Sequence, residues 1–291
     1  MSVRPAADEP ESRFYESHRL RLHYVVWEGS GGPSLLLIHG GRENCRSWDL
    51  VARALRSRYT IYAPDMRGHG DSQWVIGGPY GLPESVADIS TLADRLEGPL
   101  TIVGHSRGGN VALHYAGAFP ERVAKVVAIE GLGPPPPEDR QEGVPAAMRM
   151  RRWIERMRDM EPRRPRRYAT LEDATRRIRE EDPRVSPELA RHFAEHGSRR
   201  NEDGTYSWKF DNYVRAGGFY GDGGQEVWAA IRAPVLLVTG NESWACDPQW
   251  QERRHAIPDH RSVLIEGAGH WVHHDKPERF LEVLQAFLAE A

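Results

Sequence analysis

"VGHSRGG", residues 103–109, decides how this chain is read. Gly104 and Gly108 stand two residues either side of Ser106, behind the apolar run "LTIVGHS" (100–106) and ahead of the helical pattern "NVALHYAGAF" (110–119). Strand, sharp turn and helix in direct succession form the context of a nucleophile elbow, in which a serine is displayed on a strained backbone. Small flanking residues let the strand and the incoming helix pass without collision. The competing reading, a serine in a glycine-rich loop, explains the glycines but not the elements on both sides.

Further strands are predicted outward from this turn: "LHYVVWE" (22–28), "SLLLIHG" (34–40), "YTIYAPD" (59–65), "VAKVVAIE" (123–130), "PVLLVTG" (234–240) and "RSVLIEG" (261–267). Their near-continuous apolarity suits strands covered on both faces. Helical patterns at 47–57, 84–96 and 108–118, from about 248, and in the closing "PERFLEVLQAFLAEA" supply the crossovers of a mostly parallel sheet. Asp275 and Glu278 read as a capping box for that last helix.

The prolines of "EGLGPPPPEDRQEG" cannot donate to a sheet ladder, so the chain leaves the sheet after residue 130. Residues 131–228 are arginine-rich and helical in flavour. The expected organisation is therefore a core of 1–130 and 229–291 enclosing a helical insertion, 131–228, folded as a cap over the carboxyl edge of the sheet. The insertion carries 19 basic and 18 acidic residues. Such interspersed charge reads as a solvated, ion-paired face rather than a nucleic-acid surface.

The whole chain, 291 residues with a formal net charge of −3, has no general drive toward nucleic acid or anionic lipid. No stretch approaches the roughly 18 apolar residues of a membrane span, and "MSVRPAADEPESR" lacks an apolar signal core. Cys45 and Cys246 lie in no metal or redox spacing, which suggests a reducing, cytoplasmic setting. A small-molecule substrate is the expected partner.

A serine hydroxyl needs a base to become a nucleophile at neutral pH. His270, in "EGAGHWVHHD", follows the last predicted strand and returns to the edge where Ser106 emerges. His105 points to the other face by the period-two rule and is expected to pack on the sheet, and His39 to shape the loop after its strand. His270, His273 and His274 together suggest a metal cluster only superficially, because no carboxylate or cysteine set accompanies them. No cofactor is implied. For the acid that orients the imidazole, Glu130 at the end of its strand competes with Asp247, whose alternative role is an N-cap before "PQW", and with Glu242 as a weaker third.

Acyl transfer also needs amide donors for a developing oxyanion, and the backbone N–H groups of Arg107 and of Gly41 in "HGGREN" are the candidates. The Arg107 side chain would either pair with an acid in solvent or select an anionic substrate. "PDMRGHGDS" (64–72) is expected to tie a loop beneath the site, and Trp48, Trp74, Trp271, Phe219 and Tyr220 are candidates for an apolar pocket under the cap.

With "HGG", "PDMRGHGDS", "GHSRGG" and "GAGHW" in this order, the chain resembles the α/β-hydrolase fold family over nearly its entire length. The resemblance implies eight strands with the second antiparallel, a cap after the sixth, the nucleophile after the fifth and the histidine after the eighth. In most of that family the acid follows the seventh strand, where "GNES" places Ser243 instead of an aspartate. A subset resembling haloalkane dehalogenases carries its acid after the sixth strand, as Glu130 would be, but uses an aspartate nucleophile; Ser106 disfavours dehalogenase and epoxide hydrolase chemistry. The expected activity is a cofactor-independent serine hydrolase acting on a carboxylic ester. The alternatives are a carbon–carbon bond hydrolase or perhydrolase on the same residues, or a ligand receptor with a vestigial site.

Overall fold

The computed structural model describes residues 9–29, 31–78, 80–133, 144–215 and 224–290. In chain order, strands β1 (Glu11–Ser17), β2 (Leu20–Trp27) and β3 (Ser34–Ile38) lead to helix α1 (Asp49–Leu55) and strand β4 (Thr60–Pro64). Helix α2 (Leu82–Ala93), strand β5 (Leu100–His105), helix α3 (Arg107–Ala118) and strand β6 (Val123–Ile129) follow. Then come α4 (Ala146–Met160), β7 (Arg167–Tyr168), α5 (Leu171–Glu181), α6 (Pro187–Gly197), β8 (Ser198–Arg200), β9 (Tyr206–Trp208) and α7 (Gly224–Trp228). The chain closes with β10 (Val235–Gly240), α8 (Pro248–Gln251), β11 (His260–Ile265), α9 (Val272–Asp275) and α10 (Pro277–Ala289).

Eight strands form one sheet in the order β1-β2-β4-β3-β5-β6-β10-β11. β2 runs antiparallel to both neighbours and the rest are parallel. Alternate side chains enter two separate apolar layers, as the period of two requires. Leu36, Ile38, Ile102, Val126 and Leu237 pack with α2 and α3, while Leu35, Leu37, Val103, Val127 and Val238 pack with α1 and α10. Both layers are fully buried, so the central strands read as uninterrupted apolar runs.

β1 is not evident from the sequence. Its alternating exposed and buried residues mark an edge strand, held by a seven-residue antiparallel register with β2. Between β6 and β10 the chain forms helices and also a three-stranded antiparallel sheet, β7-β9-β8, which the arginine-rich pattern does not reveal. The expected capping box at Asp275 and Glu278 is absent. Pro277 occupies the first turn of α10 and Lys276 is its N-cap without a side-chain bond, because the Asp275 carboxylate instead accepts the Gly269 N–H at 2.7 Å.

Candidate active site

Register brings the site together. His105 pairs with Ile129 and Ile129 with Val238, so the residues leaving β5, β6 and β10 emerge side by side at the carboxyl edge. Ladder bonds continue past the strands, from Ser106 N–H to the Ile129 carbonyl at 2.7 Å and from Glu130 N–H to the Val238 carbonyl at 2.9 Å.

Ser106 has φ 50° and ψ −116°, outside the comfortable regions for a side-chain-bearing residue, as an elbow demands. The neighbouring glycines are sterically required. A Cβ on Gly104 would lie 2.4 Å from the Gly108 carbonyl oxygen, and one on Gly108 2.2 Å from that of Ile38. Glu130 also has a positive φ, 55°, which turns its side chain back toward β10.

The imidazole of His270 lies between these two residues. Its Nε2 is 3.0 Å from Ser106 Oγ and its Nδ1 is 3.2 Å from Glu130 Oε2. Glu130's side chain is fully buried and its remaining capacity is used: Oε1 accepts the Gly240 N–H at 2.8 Å, and Oε2 accepts the Ser243 hydroxyl at 2.5 Å. Asp247 lies elsewhere, at the start of α8, with its carbonyl accepting the Gln251 N–H, and Glu242 pairs with Arg184 at 2.6 Å in solvent. The structure therefore brings Ser106, His270 and Glu130 into one hydrogen-bonded line and leaves the other two acids outside it.

Arg107 opens α3, where its amide N–H has no partner inside the helix. A Cβ added to Gly41 would meet nothing within 4 Å, so that backbone borders open space. The Arg107 side chain takes neither expected role. It turns inward and donates to the carbonyls of Tyr80 and Gly81 and to Ser85 Oγ, fastening the start of α2. Burial, with Arg67 as a further positive neighbour, pushes its guanidinium down to about 10.

Beneath His270 lies a layer that sequence reasoning missed. Glu43 Oε1 is 2.9 Å from His105 Nδ1 and accepts the Trp271 indole N–H at 2.7 Å, while Oε2 accepts the Gly40 N–H at 3.0 Å. His105 Nε2 in turn meets the His270 carbonyl at 2.9 Å. Glu43 thus links the Gly40–Gly41 loop, the nucleophile strand and the histidine loop. Burial opposes both charges, yet each partner stabilises the other: His105 is raised above its ordinary value and Glu43 is held well below the carboxylate range. The only signal was an acid following two glycines in "HGGREN".

The remaining candidates have structural roles. His39 bonds the Gly40 carbonyl through Nδ1 and accepts the Met66 N–H at Nε2, shaping its loop as expected. Asp65 of "PDMRGHGDS" engages His23, Cys45 N–H and Asp71 N–H; burial works against its charge, but these bonds lower the carboxyl to about 2. Arg67 makes a bidentate pair with Asp88. Trp48 is core and stacks on His273, Trp74 donates to the Lys209 carbonyl, and Trp271 lines a cavity shared with the segment joining β6 to β10. Phe219 and Tyr220 fall outside the described residues.

Three side-chain clusters have metal-like composition: His23 with Cys45 and Asp65, Glu43 with His105 and His273, and Asp49 with His192 and His196. Part of each cluster is committed to other bonds, although both ring nitrogens of His273 are without a hydrogen-bond partner. The first is held by the Asp65 bonds and its thiol is pushed well above its usual range by burial, the second by the Glu43 bonds, and the third by the Arg46–Asp49 pair at 2.7 Å.

Sequence comparison agrees with this architecture. A profile of the alpha/beta hydrolase family matches residues 35–283. The chain belongs to the alpha/beta hydrolase family. An esterase of Mycobacterium tuberculosis is 28% identical over 270 residues, covering 90% of this chain and 84% of that protein. A serine hydrolase-like protein of Danio rerio is 27% identical, covering 92% and 85%. Among solved structures, the thioesterase domain from the curacin biosynthetic pathway superposes with a TM-score of 0.82 at 25% identity, over 96% of this chain and 99% of that one. This alpha/beta hydrolase is therefore an enzyme of hydrolytic type, and no helix among its described residues is long and apolar enough to cross a membrane.

Proposed function

We propose that this alpha/beta hydrolase cleaves a small-molecule carboxylic ester through an acyl-enzyme on Ser106. The observation that carries the reading is the line from Ser106 Oγ through His270 to the buried Glu130 carboxylate, with contacts of 3.0 and 3.2 Å. Glu130 fixes the tautomer that bears its proton on Nδ1, leaving the Nε2 lone pair to take the Ser106 proton. The freed oxygen attacks the ester carbonyl. Gly41 and Arg107 N–H groups receive the developing oxyanion, each worth roughly a hundredfold or more in rate. His270 returns its proton to the departing alcohol, then deprotonates water, which hydrolyses the acyl group and restores Ser106. The name of the Mycobacterium tuberculosis esterase supports the ester class, and two unpaired cysteines fit a reducing, cytoplasmic setting. The test is rapid quenching of a p-nitrophenyl ester turnover followed by peptide mass spectrometry. An acyl adduct on Ser106 is expected; an adduct on another residue overturns the assignment.

A further inference from the structure

A cavity of about 500 Å³ lies between the Gly41 loop and the segment joining β6 to β10. Aromatic side chains of Tyr168, Trp208, Phe210 and Trp271 line it, and so does Gly41, the proposed oxyanion donor. The lining is also cationic. Arg163, Arg164 and Arg166, from the loop between α4 and β7, line the cavity in exposed positions.

Several arginines of this region are neutralised locally. Arg176 pairs with Asp173, Arg191 with Glu172 and Glu195, and the pocket's own Arg42 and Arg177 share Glu181. The loop arginines differ. Arg163 donates to the Asp159 carbonyl, Arg164 to the Glu161 carbonyl, and Arg166 lies over the Tyr168 ring at 5.3 Å. Among the described residues none of the three has a carboxylate partner. The pocket's acids are already engaged, Glu43 by His105, Glu181 by the two arginines, and Asp182 by the Arg184 N–H. The cavity therefore combines aromatic walls with a surplus of guanidinium groups.

We propose that the group of the ester held in this cavity is an apolar segment ending in an anion, a carboxylate or a phosphate, received by Arg163, Arg164 and Arg166. This rests on the ester-hydrolase reading. The aromatic walls bury the segment between the reacting carbonyl and the charge, and the planar guanidinium fork matches either oxyanion. A neutral ester of the same length would fill the walls and leave the cations solvated.

Two measurements test it. The first compares kcat/KM for p-nitrophenyl hydrogen suberate, p-nitrophenyl octanoate and a phosphate-terminated ester of matching length, in the wild type and in R163Q/R164Q/R166Q. The wild type should prefer an anionic ester by about tenfold or more at low salt, the scale of one charge-assisted bond after screening, and the triple variant should lose that preference. Whether carboxylate or phosphate leads identifies the anion. A wild-type preference for the octanoate, or an anionic-to-neutral ratio unchanged in the triple variant, overturns the proposal. The second does not depend on turnover: monomethyl suberate and methyl octanoate are titrated into Ser106→Ala protein by calorimetry. Tighter binding of the anion, abolished by adding the three arginine substitutions, supports the pocket even if no ester is hydrolysed, a result that would sink only the ester reading. Equal binding of the two ligands sinks the anion site alone.

Discussion

Ser243 Oγ donates to Glu130 Oε2 at 2.5 Å, the same carboxylate oxygen that faces His270 Nδ1 at 3.2 Å. The position after β10, where the family commonly has an aspartate, here supplies a hydroxyl donor, and the negative charge comes from the neighbouring strand end. Both positions thus converge on the carboxylate oxygen beside the imidazole Nδ1.

Glu130→Gln should lower kcat by about 10³–10⁴-fold, since an amide can stabilise the wrong tautomer and cannot stabilise the imidazolium. Asp247→Asn should leave kcat within about twofold, because it removes no bond to the imidazole. Steady-state kinetics on one p-nitrophenyl ester distinguish them, and the reverse ranking would move the acid to the β10 loop.

The convergence predicts a relocation. In Glu130→Gln/Ser243→Asp a carboxylate returns beside Nδ1 from the other strand, and kcat should rise about tenfold or more above the Glu130→Gln single variant, a coupling of the size seen between contacting residues. A double variant no better than the single would show that the β10 loop cannot carry the acid in this chain.

Gly104→Ala should prevent folding or lower the thermal midpoint severely. Its Cβ would sit 2.4 Å from the Gly108 carbonyl, a backbone atom that cannot move without displacing α3. Scanning fluorimetry of the soluble fraction decides, and a midpoint within a few degrees of wild type would mean the elbow is looser than its contacts.

Stability should fall on acidification from pH 7 to 5. Burial lowers His69 and His274 to about 3, so the unfolded chain takes up protons below its ordinary value near 6.5 that the folded chain refuses. Each contributes a loss of roughly 2 kcal/mol by pH 5. His105 works in the opposite sense: raised by Glu43, its contribution is fully present below about 6.5 and fades as pH rises through its higher folded value. His274→Leu should flatten the dependence of midpoint on pH. An unchanged slope in that variant, or a wild-type midpoint that rises toward pH 5, contradicts this account.

The parts of the fold carried by burial on both faces were readable from the chain, because β3, β5, β6 and β10 have no solvent side to interrupt their apolar runs. β1 was hidden by that same rule, since Phe14 is partly exposed and its neighbours alternate with charge. β7, β8 and β9 are two or three residues each, too short to show any period. Within the site, Ser106 and His270 announced themselves through glycines and strand ends. Glu130 could not be separated from Asp247 on sequence, because the choice depends on φ 55° at Glu130 and on lateral register between β6 and β10. Glu43 was invisible for a related reason: its importance arises from three partners distant in sequence. The Arg107 side chain followed neither expectation because carbonyls at the start of α2, rather than an acid or a substrate, satisfy it.

Ser106 and Glu130 hold backbone angles that glycine would adopt freely, and such outliers cost of order 1–3 kcal/mol each. Directed evolution rewarded solely for heat resistance would accordingly drift toward Ser106→Gly, hardening the scaffold while extinguishing turnover, whereas Glu130→Gly would strip the acceptor from the buried Gly240 N–H and Ser243 hydroxyl. Any thermostabilised version of this enzyme has to be bred with Ser106 locked.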